Sequence, residues 1–491
     1  MELTQLLNSV HAIQVTGEVQ RKDVSGIYYD SRRVKVNSIF VAIKGFKSDG
    51  HKFITEAINS GAIAVVLEDN NSIPEHYFHL KKIARILVVD SRRALAEISN
   101  AFYKGAASQL FSYAVTGTNG KTTTTYLMKN ILEKAGQKAG LLGTIANVIG
   151  DRVVESSMTT PESSDLHELF FSMVAEKCSA VVMEISSHSL VLQRVYGIPF
   201  NVAIFSNITS DHLDFHNTFE NYLAAKKMLF DDLSEKSFAV VNRDDANYLE
   251  LIKDCRAKVV TYGKDENADF RIANISFDLT GTRFSIFINK HEYKVETPMI
   301  GEFNAYNAAS AFAAAFVGGI PTEQILLGIK TAPPVPGRLE IVSGKNKKAV
   351  IDYSHTADSI EKAIVNLRKI ISADNKLITV FGCGGNRDAT KRPEMGRIAT
   401  ELSDWVIITN DNPRDEDPEV IISDVQKGIS KNNYEIILDR EEAIKKAITE
   451  SDDFAVVLIA GKGHENYQII KSVKHHFSDK EVAEKYLAGV N

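Results

Sequence analysis

Apolar residues in this chain come mostly in short unbroken runs rather than in alternation with polar ones. Ser38-Ile39-Phe40-Val41-Ala42-Ile43, Ala62-Ile63-Ala64-Val65-Val66-Leu67 and Ile86-Leu87-Val88-Val89 are followed by runs at 111–115, 180–185, 202–205 and 238–242. Such β-branched runs between turn residues predict strands buried on both faces. Helical patterns between them, at 53–60 and 121–135, predict the covering layers of a parallel sheet. Five more runs, at 349–353, 377–381, 405–409, 435–438 and 454–460, repeat the pattern. Residues 268–298 differ: Phe284, Ile286 and Ile288 alternate with polar positions, which predicts a small antiparallel excursion. The first fourteen residues predict a short amphipathic helix with neither a basic region nor a cleavage site.

A chain of 491 residues is too long for one core. The densest cluster of helix and strand breakers, Pro333-Pro334-Val335-Pro336-Gly337, predicts a linker, and Asp90-Ser91-Arg92-Arg93 opens a helix after the first block. The expected division is 1–92, 93–334 and 335–491, each part α/β. The tetrapeptide Asp-Ser-Arg-Arg also stands at 30–33, but its surroundings do not match, so no internal repeat is read.

Composition narrows the partners. A net charge of -6 argues against broad binding to nucleic acid or acidic membranes. Cys178, Cys255 and Cys383 form no C-x-x-C pair, so neither a disulfide framework nor a zinc site is indicated. No apolar run approaches the roughly 20 residues that span a bilayer. A cytosolic monomer is expected, since no coiled-coil heptads stand out.

One segment carries chemistry at once. Residues 111–115 read as a strand that enters Thr116-Gly117-Thr118-Asn119-Gly120-Lys121-Thr122-Thr123 and then a helix. A loop between strand and helix aims free N–H groups and the helix dipole at one spot, which suits phosphate. Gly117 and Gly120 allow close approach, Lys121 would reach the terminal phosphates, and Thr122 would hold Mg²⁺. The general P-loop has a glycine five residues before Gly120; this chain has Val115. Glu184 ends one predicted strand, and Asp211 and His212 follow another, where parallel sheets collect ligands. A P-loop switch protein is the alternative from another class, but Asn242-Arg243-Asp244-Asp245 lacks the lysine of a guanine-reading motif.

The loop closely resembles the ATP loop of the Mur ligases, which build the stem peptide of peptidoglycan. Other segments similar to that family follow in family order. They are Asp30-Ser31-Arg32, Thr159-Thr160-Pro161, Met183-Glu184-Ile185-Ser186-Ser187-His188, Asn207-Ile208-Thr209-Ser210-Asp211-His212-Leu213-Asp214 and Gly301-Glu302-Phe303-Asn304-Ala305-Tyr306-Asn307. Beyond the linker come Gly337-Arg338, Asp352-Tyr353-Ser354-His355-Thr356, Gly382-Cys383-Gly384-Gly385-Asn386-Arg387-Asp388 and Gly461-Lys462-Gly463-His464-Glu465. The resemblance implies a small UDP-sugar-binding domain, a central P-loop ATPase-type sheet and a Rossmann-like amino-acid-binding domain. It also implies a reaction: ATP phosphorylates the D-glutamate carboxylate of UDP-N-acetylmuramoyl-dipeptide, and the amine of the third residue displaces phosphate.

Site residues follow by position. Gly117 to Thr123, Asn304, Arg338, Asp352 and His355 match ATP contacts, with Arg338 reaching the phosphates when domains close. Glu184, His212, Thr122 and a carbamylated Lys226 match the Mg²⁺ ligands, and Lys121, Glu184, His212 and Lys226 are the catalytic set. Lys227 beside Lys226 is the competing choice. Tyr29, Ser31, Phe46, Lys47 and Ser48 match uridine contacts, and Thr159, Thr160, Ser186 and Arg194 match muramoyl-peptide contacts. Arg387, Asp411, Asn412, Pro413, Arg414, Gly461 and Glu465 match the amino-acid pocket. Asp-Asn-Pro-Arg marks family members that add meso-diaminopimelate. Its physical sense is that Arg414 can pair bidentately with a distal carboxylate that lysine lacks. A lysine-adding enzyme is the nearest alternative.

Overall fold

The computed structural model describes residues 1–45 and 48–489. The chain divides into two compact units, one of Met1–Phe270 with Ala309–Gly328 and one of Arg271–Ala308 with Ile329–Asn491.

The first unit holds two sheets. The smaller runs in the order Ala12–Gly17, Ala84–Val88, Ala62–Leu67, Ser38–Val41 and Ile27–Tyr28, parallel except for its first strand. Ala62–Leu67 is buried along its whole length, as its unbroken Val and Ile run requires. The helix Ser91–Phe102 adds Ala94, Leu95 and Ile98 to this sheet's core. Both copies of Asp-Ser-Arg-Arg serve the same local purpose. Asp30 caps a 3₁₀ turn by accepting from the Arg32 N–H, and Asp90 caps the helix Ser91–Phe102 by accepting from the Arg92 and Arg93 N–H groups.

The larger sheet of this unit runs Lys258–Gly263, Phe238–Asn242, Val202–Phe205, Phe111–Thr116, Ala180–Glu184 and Ala139–Leu142, all parallel. The antiparallel strands Ala146–Ile149 and Arg152–Glu155 complete its edge. Phe111–Thr116 lies between strands reached in opposite directions, so its carboxyl end is the point where the winding reverses. Loops splay apart there and leave a crevice. Register keeps the ends level: Val115 pairs with both Glu184 and Ile204.

The second unit has the antiparallel strands Gly281–Ile288 and His291–Thr297, as the alternation at 268–298 predicts. Its main sheet runs Glu340–Ser343, Lys348–Asp352, Val456–Ala460, Leu377–Phe381, Trp405–Ile408 and Tyr434–Ile436, parallel except for the first strand. Two apolar clusters pack on its faces, one around Val380 and Ile459 and the other around Phe381 and Leu458. The α/β class is therefore as the sequence predicts.

The amino terminus departs from expectation. The helix covers only Leu3–Leu7, and Ala12–Gly17 is an edge strand. Ile13 is exposed on it, so its helical spacing from Leu6 and Val10 mimics a helix stripe without facing a core. Further strands that the sequence does not predict are Ile27–Tyr28, Ala139–Leu142, Ala146–Ile149 with Arg152–Glu155, Lys258–Gly263, Glu340–Ser343, and the hairpin of Tyr467–Ile470 and Val473–His476. Among the described residues no helix is long and apolar enough to cross a membrane.

Candidate active site

In the first unit the loop 117–120 follows the strand Phe111–Thr116 and leads into the helix Lys121–Lys134. Gly117 and Gly120 both adopt positive φ, +148° and +88°. A Cβ on Gly117 would run into the Ser206 hydroxyl and the Asn207 main chain, so this position requires glycine. The end of the neighbouring strand splints the loop. The Thr118 N–H donates to the Asn207 carbonyl at 2.8 Å, the Asn119 N–H to Asn207 Oδ1 at 3.1 Å, and the Ser206 hydroxyl to the Asn119 carbonyl at 2.5 Å. Lys121 Nζ donates to the Gly117 and Thr118 carbonyls at 2.8 and 3.0 Å. Thr122 and Thr123 are buried in the first turn behind it.

Lys226 sits in the helix Phe219–Asp231 and is 1% exposed. Its Nζ donates to the Gly117 carbonyl at 3.0 Å and lies 4.5 Å from the centre of the Tyr222 ring. Burial, and then the nearby Lys121 cation, hold its ammonium well below the usual lysine range, with Asp211 acting weakly against them. Lys227 is the opposite case. It pairs with Asp231 at 2.6 Å and with Asp254 at 2.5 Å on the helix surface. Only Lys226 reaches the loop.

Glu184 is 1% exposed at the end of its strand. Its carboxylate accepts from the Thr144 N–H at 3.0 Å and the Thr144 hydroxyl at 2.9 Å, both neutral donors. Among the described residues no cationic side chain pairs with it, and a buried carboxylate held in this way suits a bound cation. Gly143 makes room for it, since a Cβ there would collide with Oε1. His212 is exposed with φ +53°, its ring 5.0 Å from that of His188 and 6.2 Å from that of Tyr222. Among the described residues no group of three or more His, Cys, Asp or Glu is arranged to hold a metal ion. A metal would need a further anionic group beside Glu184.

Thr159, Thr160 and Ser186 form a second cluster next to Glu184. The Thr144 and Thr159 hydroxyls lie 3.1 Å apart, the Thr160 hydroxyl donates to the Glu184 carbonyl at 2.8 Å, and the Ser186 N–H donates to Thr160 Oγ1 at 3.1 Å. Arg194 is oriented by Glu162 at 2.8 Å and by the Thr160 carbonyl at 3.0 Å. Glu162 also takes Arg92 at 3.3 Å. Thr144 and Glu162 are positioning residues that the sequence reading missed. Just past the strand Ile27–Tyr28, Tyr29 donates to Asp165 at 2.7 Å and Ser31 to Glu56 at 3.0 Å. Ser48 is exposed nearby in sequence, while Phe46 and Lys47 lie outside the described residues.

The second unit gathers the rest. Asn304 is buried, donating to the Ile300 carbonyl at 2.8 Å and accepting from Asn307 at 2.9 Å. Arg338 lies over the Tyr353 ring at 5.2 Å. Asp352 accepts from the Leu339 N–H at 2.8 Å and from the Ser354 hydroxyl. The His355 ring stands 4.7 Å from that of Tyr353, and its carbonyl accepts from Lys391 at 2.6 Å.

Arg414 is held in the left-handed region at φ +55°. The hairpin grips its backbone from both sides: the Arg414 N–H donates to the Ile469 carbonyl at 3.0 Å, and the Lys471 N–H donates to the Arg414 carbonyl at 2.6 Å. Its guanidinium donates to the Gly385 carbonyl at 2.8 Å. Asp411 and Asn412 are buried beneath, Asn412 donates to Glu465 at 2.8 Å, and Pro413 separates them from Arg414. Gly461, at φ +117°, packs so closely that a Cβ would stand 2.8 Å from Asp411 Oδ2. Arg387 is exposed on the facing loop. Residues 382–388, 411–414 and 461–465 thus converge at the carboxyl ends of their strands, as parallel sheets favour.

Three family models match the chain in order: "Mur ligase family, catalytic domain" at residues 23–103, "Mur ligase middle domain" at 115–315, and "Mur ligase, glutamate ligase domain" at 337–463. A UDP-N-acetylmuramoyl-L-alanyl-D-glutamate--2,6-diaminopimelate ligase of Clostridium botulinum is 44% identical, covering 95% of this chain and 96% of its own. One bearing the same name with the number 1, from Clostridium acetobutylicum, is 43% identical and covers 99% of both. A solved structure described as a UDP-N-acetylmuramoyl-L-alanyl-D-glutamate--2,6-diaminopimelate ligase superposes with a TM-score of 0.71 at 32% identity, covering 99% of both chains. With the glycine loop, the strand-end carboxylate and the Asp411-to-Arg414 loop all in place, the chain belongs to the Mur ligase family.

Proposed function

We propose that the chain is an ATP-dependent amide ligase of peptidoglycan synthesis. It joins meso-2,6-diaminopimelate to the D-glutamate carboxylate of UDP-N-acetylmuramoyl-L-alanyl-D-glutamate through an acyl phosphate. The proposed domains are 1–92 for the UDP-sugar, 93–334 for ATP and 335–491 for the amino acid. The chain acts in the cytoplasm as a monomer.

The loop N–H groups and Lys121 bind and orient the ATP phosphates, and Asn304, Arg338, Asp352 and His355 are assigned to the nucleotide. Thr159, Thr160, Ser186 and the Arg194–Glu162 pair hold the peptide end of the UDP-sugar. Little covalent chemistry falls to the protein: it keeps the carboxylate in line with the terminal phosphate and lets crowded anions approach. Mg²⁺, when bound, supplies charge neutralisation there, with Glu184, His212, Thr122 and a carbamylated Lys226 as its protein contacts. Burial favours that modification. An amine disfavoured as a cation is a nucleophile for CO₂, and the carbamate adds the anionic group that Glu184 lacks.

The observation that carries the choice of amino acid is Arg414, pinned by the hairpin and the Gly385 carbonyl. A fixed guanidinium fits the distal carboxylate of a second amino-acid centre. Phosphate release should require ATP, the UDP-dipeptide and meso-diaminopimelate together, with L-lysine far less effective. Arg414→Ala should raise the KM for diaminopimelate by about 100-fold, the loss of a charge-assisted bidentate contact worth roughly 3 kcal/mol, and leave the KM for ATP nearly unchanged. Equal turnover with lysine, or an unmoved diaminopimelate KM, overturns the assignment.

A further inference from the structure

The second unit buries a lysine that no step of this reaction uses. Lys462 is 0% exposed, and its Nζ donates to Asn412 Oδ1 at 3.2 Å and to Glu465 Oε2 at 3.4 Å. Asp411 Oδ1 lies 3.6 Å away, with no hydrogen-bond partner of its own among the described residues. A cation buried this deeply is strongly disfavoured unless its partners are well placed. Here they are all pocket residues. Asn412 passes the constraint on, donating to Glu465 and accepting from the Ile469 N–H at 2.9 Å, while Gln468 donates to the Asp411 carbonyl at 2.8 Å.

Charge explains the arrangement. Other groups facing Glu465 are the Tyr353 phenol and Arg440, which is paired with the fully buried Asp479 at 2.7 Å. The Asp411 and Glu465 carboxylates share Lys462, Lys391 also acts on Asp411, and Arg440 is taken up by Asp479. Arg414 ends the loop 411–414 with its guanidinium on the Gly385 carbonyl. Carboxylates and a fixed guanidinium on these converging loops are complementary to a zwitterionic amino-acid centre.

We propose that Lys462 is a positioning residue for the incoming amino acid. It orients Glu465 and Asn412, and the Glu465 carboxylate receives the substrate's distal ammonium. This rests on the reaction proposed above. Burial pushes the Glu465 carboxyl up and Lys462 pulls it back, so removing the lysine lets Glu465 take up a proton closer to neutral pH.

The test is Lys462→Met in the full chain, read by phosphate release with ATP, UDP-dipeptide and varied meso-diaminopimelate between pH 6.5 and 9. The diaminopimelate KM should rise at least about tenfold at pH 7, as expected for a charge-assisted contact, and the ATP KM should move less than about twofold. The gap from the parent should narrow as pH rises and Glu465 ionises. An unchanged KM, or a rise with no pH dependence, overturns the proposal. Should this variant fail to fold, Lys462→Met with Glu465→Gln leaves no unpaired charge at 465 and is compared with Glu465→Gln alone. Equal KM values support the coupling, and a further rise overturns it. If the parent uses another amino acid instead, the proposed function fails, and the same variants are read with that amino acid.

Discussion

His167 shows how one buried side chain ties stability to pH. It lies in the helix Ser163–Ala175, 1% exposed, with neither ring nitrogen hydrogen-bonded among the described residues. Burial pushes its pKa down to about 4. An unfolded imidazole titrates near 6.5, so between pH 6.5 and 4 the unfolded chain binds a proton that the folded chain refuses. Stability from this group is intact above pH 6.5 and is lost progressively as pH falls towards 4. From pH 7.5 to 5 the loss is about 2 kcal/mol. His167→Leu should remove it: urea unfolding of the first unit at the two pH values should show a smaller acid penalty in the variant. Equal penalties would mean the ring is solvated in the folded state. The same residue scale shows where reading a sequence stops. Glycine spacing marks the phosphate loop, but nothing local separates Lys226 from Lys227, since adjacent helical positions differ only in what packs against them. Thr144 and Glu162 were missed because their partners Glu184 and Arg194 are distant in sequence.

At the scale of elements, the loop between the strand Phe111–Thr116 and the helix Lys121–Lys134 depends on its neighbour as much as on its glycines. Ser206 and Asn207, just past the adjacent strand Val202–Phe205, occupy the space a side chain at 117 would need. Gly117→Ala must therefore displace either the loop or that strand end, and φ +148° adds strain of about 1–3 kcal/mol. The expected outcome is an ATP KM raised by an order of magnitude or more, with the diaminopimelate KM little changed; a normal ATP KM would show that the loop does not hold phosphate. Elements with buried, unbroken apolar runs were legible, and Ala62–Leu67, Val202–Phe205, Phe238–Asn242 and Leu377–Phe381 match their predicted bounds. Val473–His476 was not legible because its residues are all exposed, so no face imposes a period on them. That hairpin is nonetheless what holds Arg414, so the least readable element fixes the residue most informative about the substrate.

For the whole molecule, the division into two units means that stability need not be a single quantity. The pair Arg440–Asp479 offers a way to perturb one unit alone. Both side chains are 0% exposed, the guanidinium contacts both carboxylate oxygens at 2.7 and 2.8 Å, and it also donates to the Asn410 and Ala460 carbonyls. It thereby ties the helix Asp479–Gly489 to the carboxyl ends of two strands that carry the amino-acid pocket. Asp479→Asn keeps the shape and leaves Arg440 buried without its counter-charge. Breaking a buried pair in this way costs about 3–5 kcal/mol. Hydrogen exchange should then speed up in peptides from the sheet containing Trp405–Ile408 and Val456–Ala460, and stay at parent rates around the phosphate loop. Loss of ATP binding should be slight while the diaminopimelate KM rises, because Asn410 and Ala460 adjoin Asp411 and Gly461. Uniform acceleration across both units would show that the two units unfold as one body, and the charge pair would then support the whole chain rather than its amino-acid pocket.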